Sequence, residues 1–371
     1  MGDQSHTKQQ KIFKESKAMR INDIETPALI LDKNILQQNI DAMDKLLAGS
    51  SLSLRPHYKS HKCSALAHLQ MEHGAIGMTC AKLSEAIDLC DSGIENILIA
   101  NQIVEPQKLR KLADLAAKCT LTVCIDNFDN VDALNEAAMA AGSSIGCLIE
   151  YEIGMQRCGV CKSEEVLALA KHILTKSNLT FEGIQAYAGH ISHMANETER
   201  RELTKANHSK IKALLSYLGD NGVEVKTLSG GSTGTGSIKA ADGLYTELQA
   251  GSYLFMDSTY ATLGLPFKNS LFILATVVSA KEGLTVVDSG VKTCGVDQGM
   301  PLPCGFEVSK IVDSEEHFQL HNPTASHKIG DKIRLIPAHC CSTVNLHDRI
   351  YVVDGDRVVD RLLITARGMG K

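Results

Sequence analysis

The chain predicts an α/β fold, a (β/α)8 barrel with a C-terminal all-β domain. Two observations carry this. From Pro27 to about Leu265 short apolar runs alternate with segments of helical period, and after about residue 266 that alternation stops and strand-like runs follow one another. The expected divisions are a loosely docked arm over 1–20, a barrel over 21–265 and a β domain over 266–371.

The expected barrel strands are 27–32, 52–59, 75–80, 96–101, 121–126, 146–152, 181–188 and 225–230. Each is short, often β-branched and bounded by Gly, Asp or Asn, as strands buried on both faces tend to be. Between them lie amphipathic helices. One carries Val166, Leu169, Ala170, Ile173 and Leu174 on a single stripe, with Ser163 as its expected cap. Leu109, Leu112 and Leu115 with Ala116 mark another. About eight strand–helix units over roughly 240 residues is the size of a closed barrel. An open doubly wound sheet is the alternative, but no G-x-G-x-x-G follows the first expected strand. Beyond residue 266, FILATVVSAK, GLTVVDSG, KIRLIPA, RIYVVDG and RVVDRLLITA read as strands, with turns at Glu282–Gly283 and Asp354–Gly355.

Of the 371 residues, 44% are apolar and 22% charged, and the net charge is −5. There is no basic excess to draw nucleic acid or an anionic membrane. No apolar run approaches the ~20 residues needed to span a bilayer. The first residues are polar, so no signal peptide is expected and the protein is expected in the cytoplasm. The twelve cysteines are then expected as reduced thiols. Cys158 and Cys161 form a C-x-x-C, but without a second pair or a thioredoxin-like context.

Four clusters could carry chemistry. The first is RPHYKSHK (55–62), at an expected strand end, where barrels build their active sites. A lysine among so many basic groups holds its proton less tightly and becomes a better amine nucleophile. The second is SGGSTGTG (229–236), whose glycines and hydroxyls suit a phosphate cradle and lack a P-loop ending. The third is EIGMQRCG (152–159), where Arg157 is placed to meet an anionic oxygen. The fourth is His339-Cys340-Cys341. On a continued strand His339 and Cys341 face one side and Cys340 the other. An imidazole and a thiolate suit zinc, and two protein ligands leave coordination positions open.

Together these segments resemble the D-threonine aldolase and D-serine dehydratase family, a branch of the alanine-racemase-like enzymes that use pyridoxal phosphate. TPALILD (26–32), AKLSEA (81–86), IAN (99–101), AYAGHISH (186–193), ELQAGSY (247–253) and HCCSTVNLHD (339–348) join the clusters above, and the likeness spans 22–371. The resemblance implies a PLP-binding barrel, a homodimer, a small D-amino acid as substrate and a divalent metal beside the cofactor. It implies Lys59 as the Schiff-base lysine and Arg157 as a contact of the cofactor's phenolic oxygen. Gly230, Gly231, Ser232 and Thr233, with Gly251, Ser252 and Tyr253, are implied around the cofactor and its phosphate. Tyr187, His190 and His193 fall in the substrate pocket, and His339 and Cys341 at the metal, zinc before manganese or magnesium. Three positions depart from the pattern. Ser232 replaces a glycine, Glu152 an aspartate, and Gln249 stands where alanine racemases place an arginine.

The resemblance leaves two reactions open. In a dehydratase Lys59 removes the α-proton and the metal helps hydroxide leave. In a retro-aldolase the metal and a histidine, here His193, help deprotonate the β-hydroxyl. The H-x-C pair resembles the dehydratases, so dehydration to a 2-oxo acid and ammonia is the expected reaction. A non-catalytic cofactor carrier of the same barrel would lack the β domain and the metal pair. A racemase would need a second-face tyrosine that the sequence does not show.

Overall fold

The computed structural model describes residues 19–322 and 326–371. Most of the arm expected over 1–20 lies outside the described residues.

Eight parallel strands form one sheet in the order β2-β9-β8-β7-β6-β5-β4-β3. They are β2 (Ser53–Leu54), β3 (Met78–Cys80), β4 (Asn96–Ile99), β5 (Thr120–Ile125), β6 (Ile145–Glu150), β7 (Leu179–Gln185), β8 (Thr227–Gly230) and β9 (Glu247–Leu248). The sheet closes on itself just past β2, where His57 bridges Thr79 in parallel and the Thr79 N–H donates to the Pro56 carbonyl at 2.8 Å. The strands read as continuous apolar runs because both faces are covered, inside by one another and outside by the helices. Ile97, Val123, Cys147, Ile149 and Ile184 are fully buried.

The helix Phe128–Ala141 shows how locally such elements are set. The Asn127 side chain accepts from the Asn130 N–H, and Gly142 ends the helix at φ +63°, a left-handed conformation that costs glycine nothing. In the helix Ser163–Leu174, Val166, Leu169, Ala170 and Ile173 are buried as expected. Two details differ. Ser163 is the first helical residue and not the cap, which is Lys162 without a side-chain bond, and Leu174 is 60% exposed. Leu174 lies on the last turn, where the chain leaves the barrel wall.

The second sheet holds nine strands, in the order β13-β14-β11-β10-β1-β16-β17, with β15 on β10 and β12 on β15. They are β1 (Ala28–Asp32), β10 (Leu271–Lys281), β11 (Leu284–Val287), β12 (Leu302–Pro303), β13 (Lys310–Asp313), β14 (Phe318–His321), β15 (Lys332–Ile336), β16 (Arg349–Asp354) and β17 (Arg357–Leu363). This corrects one expectation. Residues 27–32 are not the first barrel strand: β1 pairs antiparallel with β10 and parallel with β16, in the centre of the second sheet. The missing barrel strand is β9, whose two residues pair with both β2 and β8. β1 leads directly into the helix Lys33–Leu47, capped by Asp32, so the N-terminal segment ties the two sheets together.

Candidate active site

A cavity of about 430 Å³ opens at the C-terminal ends of the barrel strands. His57, Lys59 and Ser60 reach it from the segment after β2, Tyr187 and His193 from that after β7, and Gly231, Ser232 and Thr233 from that after β8. Gln249, Gly251 and Ser252 follow β9, and Tyr260 comes from the short helix Ser258–Ala261. His339 and Cys341 complete the wall from the segment after β15.

The basic cluster at 55–62 does not act as a unit. Arg55 is buried and forks onto Glu247 at 2.7 and 2.9 Å. Lys62 pairs with Glu85 at 2.6 Å, and His61 is fully buried on Gln70. Only His57 and Lys59, of its five basic side chains, line the cavity. Burial, then the Lys59 charge, pushes the His57 imidazole well below its ordinary range, so it is neutral. Its Nδ1 accepts from the Lys59 N–H at 3.4 Å, at the head of the 3-10 turn Tyr58–Ser60 that presents the lysine.

The glycine-rich segment makes a cradle. Gly231 sits at φ +81°, and a β-carbon there would meet Lys239 and Leu248 within 3 Å. A β-carbon at Gly251 would run into Ser60 and the His57 carbonyl. Ser232 takes the place of a glycine without loss, since its backbone is extended at φ −148° and its hydroxyl meets Thr235 Oγ1 at 3.2 Å. The Thr233 hydroxyl is buried without a partner. An unsatisfied buried hydroxyl on a cavity wall is costly unless a ligand meets it, and it fits a phosphate oxygen.

Gln249 is held by its amide, which donates to Gln185 Oε1 at 2.7 Å and to Ser229 Oγ at 2.9 Å. It presents a neutral, fixed group to the cavity. Arg157 is not on the cavity wall. Its guanidinium lies 3.4 Å from Glu150 and 5.6 Å from the centre of the Tyr187 ring, whose centre is 5.9 Å from Lys59 Nζ. Glu152 organises this rim by accepting from the N–H groups of Gly154 and Gln156 at 2.7 and 2.8 Å. Tyr253 does not offer its side chain to the cavity. It is buried, with its hydroxyl accepting from Gln70, because the turn Ser252–Leu254 points it into the core. Gly230 and the exposed His190 are likewise off the wall.

The His339-Cys340-Cys341 segment is not a strand. It caps and opens the short helix Cys340–Val344. Asp257 decides this, because its carboxylate accepts from the Cys340 N–H at 3.1 Å and from the Tyr260 N–H at 2.9 Å. Thr259 donates to the Ala338 carbonyl at 2.8 Å. These bonds staple the segment to the barrel rim, with His339 and Cys341 on the cavity and Cys340 fully buried. Cys341 Sγ is 3.7 Å from Ser60 Oγ. The Cys340 thiol, and then His339, hold the Cys341 thiol well below its ordinary range. Burial opposes charge on His339, but Cys341 and Asp297 outweigh it and raise the imidazole to about 9. Once a metal displaces one ring proton, a thiolate beside an imidazole is a donor set that fits a zinc ion. Among the described residues no three His, Cys, Asp or Glu side chains converge to hold a metal, so this pair would leave positions open.

His193 is half-buried, its ring centre 4.4 Å from that of Tyr260. Burial, then the His339 charge, lowers its pKa, which keeps it neutral near pH 7. Sequence reasoning missed Tyr260, Asp257 and Asp297, since nothing in their neighbours marks a site. All twelve cysteines are free thiols, Cys158 and Cys161 among them. Among the described residues no helix is long and apolar enough to cross a membrane.

A parallel barrel joined to a second sheet, with a lysine, a glycine-rich cradle and a histidine–thiol pair around one cavity, defines an alanine-racemase-like, pyridoxal-phosphate-dependent lyase. Residues 31–259 match the alanine racemase N-terminal domain and residues 270–353 the putative serine dehydratase domain. The chain belongs to the D-threonine aldolase and D-serine dehydratase family. It is 36% identical over 356 residues to a D-threonine aldolase from Arthrobacter sp., covering 94% of each chain. It is 36% identical over 362 residues to a 3-hydroxy-D-aspartate aldolase from Paracoccus denitrificans (strain Pd 1222), again over 94% of each. The crystal structure of the D-threonine aldolase from Filomicrobium marinum superposes with a TM-score of 0.93 at 36% identity, covering 95% of this chain and 99% of that one. A more distant relative, 25% identical over 350 residues (86% of this chain, 92% of the other), is a D-threo-3-hydroxyaspartate dehydratase from Delftia sp. (strain HT23).

Proposed function

We propose that this protein cleaves D-configured β-hydroxy-α-amino acids between the α- and β-carbons, releasing an aldehyde and a smaller amino acid. The observation that carries this is the neutral His193 on the wall that also holds Lys59, His339 and Cys341. A retro-aldol cleavage needs a base at the β-hydroxyl, and a neutral imidazole beside a metal-binding pair supplies one. The relatives at 36% identity are aldolases, which supports the same reading.

Pyridoxal phosphate, when bound, supplies the electron sink at the α-carbon. Lys59 would hold it by its amine, and Gly231, Ser232, Thr233, Gly251 and Ser252 would receive its phosphate, with Gly230 ending β8 ahead of the cradle and the Tyr253 backbone closing the second turn. Arg157, at the rim beside the Tyr187 ring, would be the guanidinium nearest to the cofactor's phenolic oxygen. Gln249 gives the ring a neutral hydrogen-bonding partner. His339 and Cys341 would hold a divalent metal, zinc by the softness of the thiolate, which would supply Lewis acidity at the wall shared with Lys59 and His193. His193 accepts the hydroxyl proton at its ring nitrogen. The substrate is a small D-amino acid and the assembly a homodimer.

Cys341 favours a second reading, dehydration to a 2-oxo acid and ammonia. A cysteine-to-alanine variant of a D-threo-3-hydroxyaspartate dehydratase has a structure in the metal-free form, which supports a cysteine ligand in that protein. Product identification decides between the two. Purified protein is incubated with D-threonine, D-serine and D-3-hydroxyaspartate. Glycine with an aldehyde supports cleavage; a 2-oxo acid with ammonia and no glycine overturns it in favour of dehydration.

A further inference from the structure

The loop between β11 and β12 brings Asp297 behind His339. Asp297 Oδ2 lies 2.6 Å from His339 Nδ1, and its other oxygen accepts from Ser342 Oγ at 2.5 Å. Both carboxylate oxygens are therefore engaged, one by the ring and one by the helix that carries Cys341. The ring's remaining nitrogen is left free of Asp297, on a residue that lines the same cavity wall as Cys341. The loop's approach is close by construction, since Gly295 packs on Ser342 where a β-carbon would collide with Oγ. The Gly295 N–H donates to Thr343 Oγ1 at 3.1 Å, and Thr343 Oγ1 donates to the His339 carbonyl at 2.8 Å.

We infer that Asp297 is a positioning residue for metal binding: it keeps the ring proton of His339 on Nδ1, so that the nitrogen away from Asp297 is the one left to carry the lone pair for a metal. This inference rests on the reading of His339 and Cys341 as a metal pair. A neutral imidazole places its one proton on either nitrogen, and only the unprotonated one can bind a metal. A carboxylate on Nδ1 claims the proton there, holds the ring plane and makes the opposite nitrogen more basic. Asp297 does not itself reach toward Cys341, because it occupies the far side of the ring. The ion pair contributes little to stability, since the Asp297 side chain is 51% exposed. Its contribution lies in orientation.

Zinc affinity tests this. The protein loaded with pyridoxal phosphate is stripped of metal with a chelator, then titrated with zinc against a chromogenic competitor at one pH. The parent should bind one zinc per chain. Asp297→Ala should bind the same amount with a dissociation constant about 10–100-fold larger. Asp297→Asn keeps an acceptor for the Nδ1 proton, and its affinity should recover part of that loss. The melting temperature of the metal-free protein and its visible cofactor band should stay at the parent's values in both variants. Parent-like affinity in Asp297→Ala overturns the inference alone. So does a loss that tracks a fallen melting temperature and is not eased by asparagine. If the parent itself binds no zinc that Cys341→Ala removes, the metal reading falls, and this inference with it.

Discussion

Cys341 Sγ lies 3.7 Å from Ser60 Oγ, the hydroxyl next in sequence to Lys59. The proposed cofactor lysine and the proposed metal pair therefore belong to one chain and one cavity, although 281 residues separate Ser60 from Cys341. A second subunit is not needed to bring them together.

Lys59→Ala should abolish the visible absorption that pyridoxal phosphate gives the parent. Borohydride reduction of the parent should label the peptide carrying Lys59. A surviving band in the variant, with label on another lysine, would refute the assignment.

Cys341→Ala should lose its metal and at least 10-fold in activity, following the loss of one ligand of two. Cys340→Ala should keep the metal. It removes a fully buried sulfur, 4.0 Å from that of Cys341, and should cost about 1 kcal/mol of stability. Metal content by elemental analysis and thermal melts separate the two variants. Equal metal loss in both would show that Cys340 is also a ligand.

The rate should fall on the acid side only below the ordinary histidine value of 6.5. His193 is the proposed neutral base, and burial, the largest cause, lowers its pKa. Its active form therefore persists to lower pH than usual and is lost as pH falls through the depressed value. His193→Ala should reduce kcat/KM by about 10²–10⁴-fold. An acid limb centred above 6.5 that survives in His193→Ala would assign it to another group.

Gly251→Ala should weaken cofactor binding by about 10–100-fold, because the added methyl meets Ser60 and the His57 carbonyl at the turn that carries Lys59. Equilibrium titration with pyridoxal phosphate measures it. Unchanged affinity would mean that the turn yields without cost.

One enantiomer should react. A single lysine acts from one face of the cofactor, and the family relatives point to the D form. Separate assays on D and L substrates test this, and equal turnover would indicate a two-base racemase-like site. Mass in solution should be that of a dimer, and a fully active monomer would remove the proposed assembly.

Much of the barrel was legible because strands buried on both faces leave apolar runs that no surface position interrupts. β2, β3, β4 and β8 fall within the expected segments, and β5, β6 and β7 overlap theirs, each starting one or two residues earlier. The exchange of β1 for β9 was not legible. A central strand of the second sheet is buried like a barrel strand, so residues 28–32 look the same in either place. β9 has two residues, too few for a period. The β domain lost β12, β13 and β14 for a similar reason, each being short, and β12 and β13 mostly half-exposed.

The amino-acid sequence by itself determined the parts: the strand–helix rhythm, Lys59 at a strand end, the glycine-rich cradle and the His339–Cys341 pair. Each is local, a matter of burial period, backbone freedom or donor chemistry within a few residues. Tertiary structure decided which parts meet. It turned Arg55, His61, Lys62 and Tyr253 away from the cavity and into ion pairs and core. It bent the expected strand at 339–341 into a helix start by placing Asp257 under the Cys340 N–H. It set Asp297 behind His339 and Tyr260 beside His193. Those choices depend on how two sheets pack at the barrel rim, and a contact between residues tens to hundreds of positions apart leaves no trace in the spacing of either.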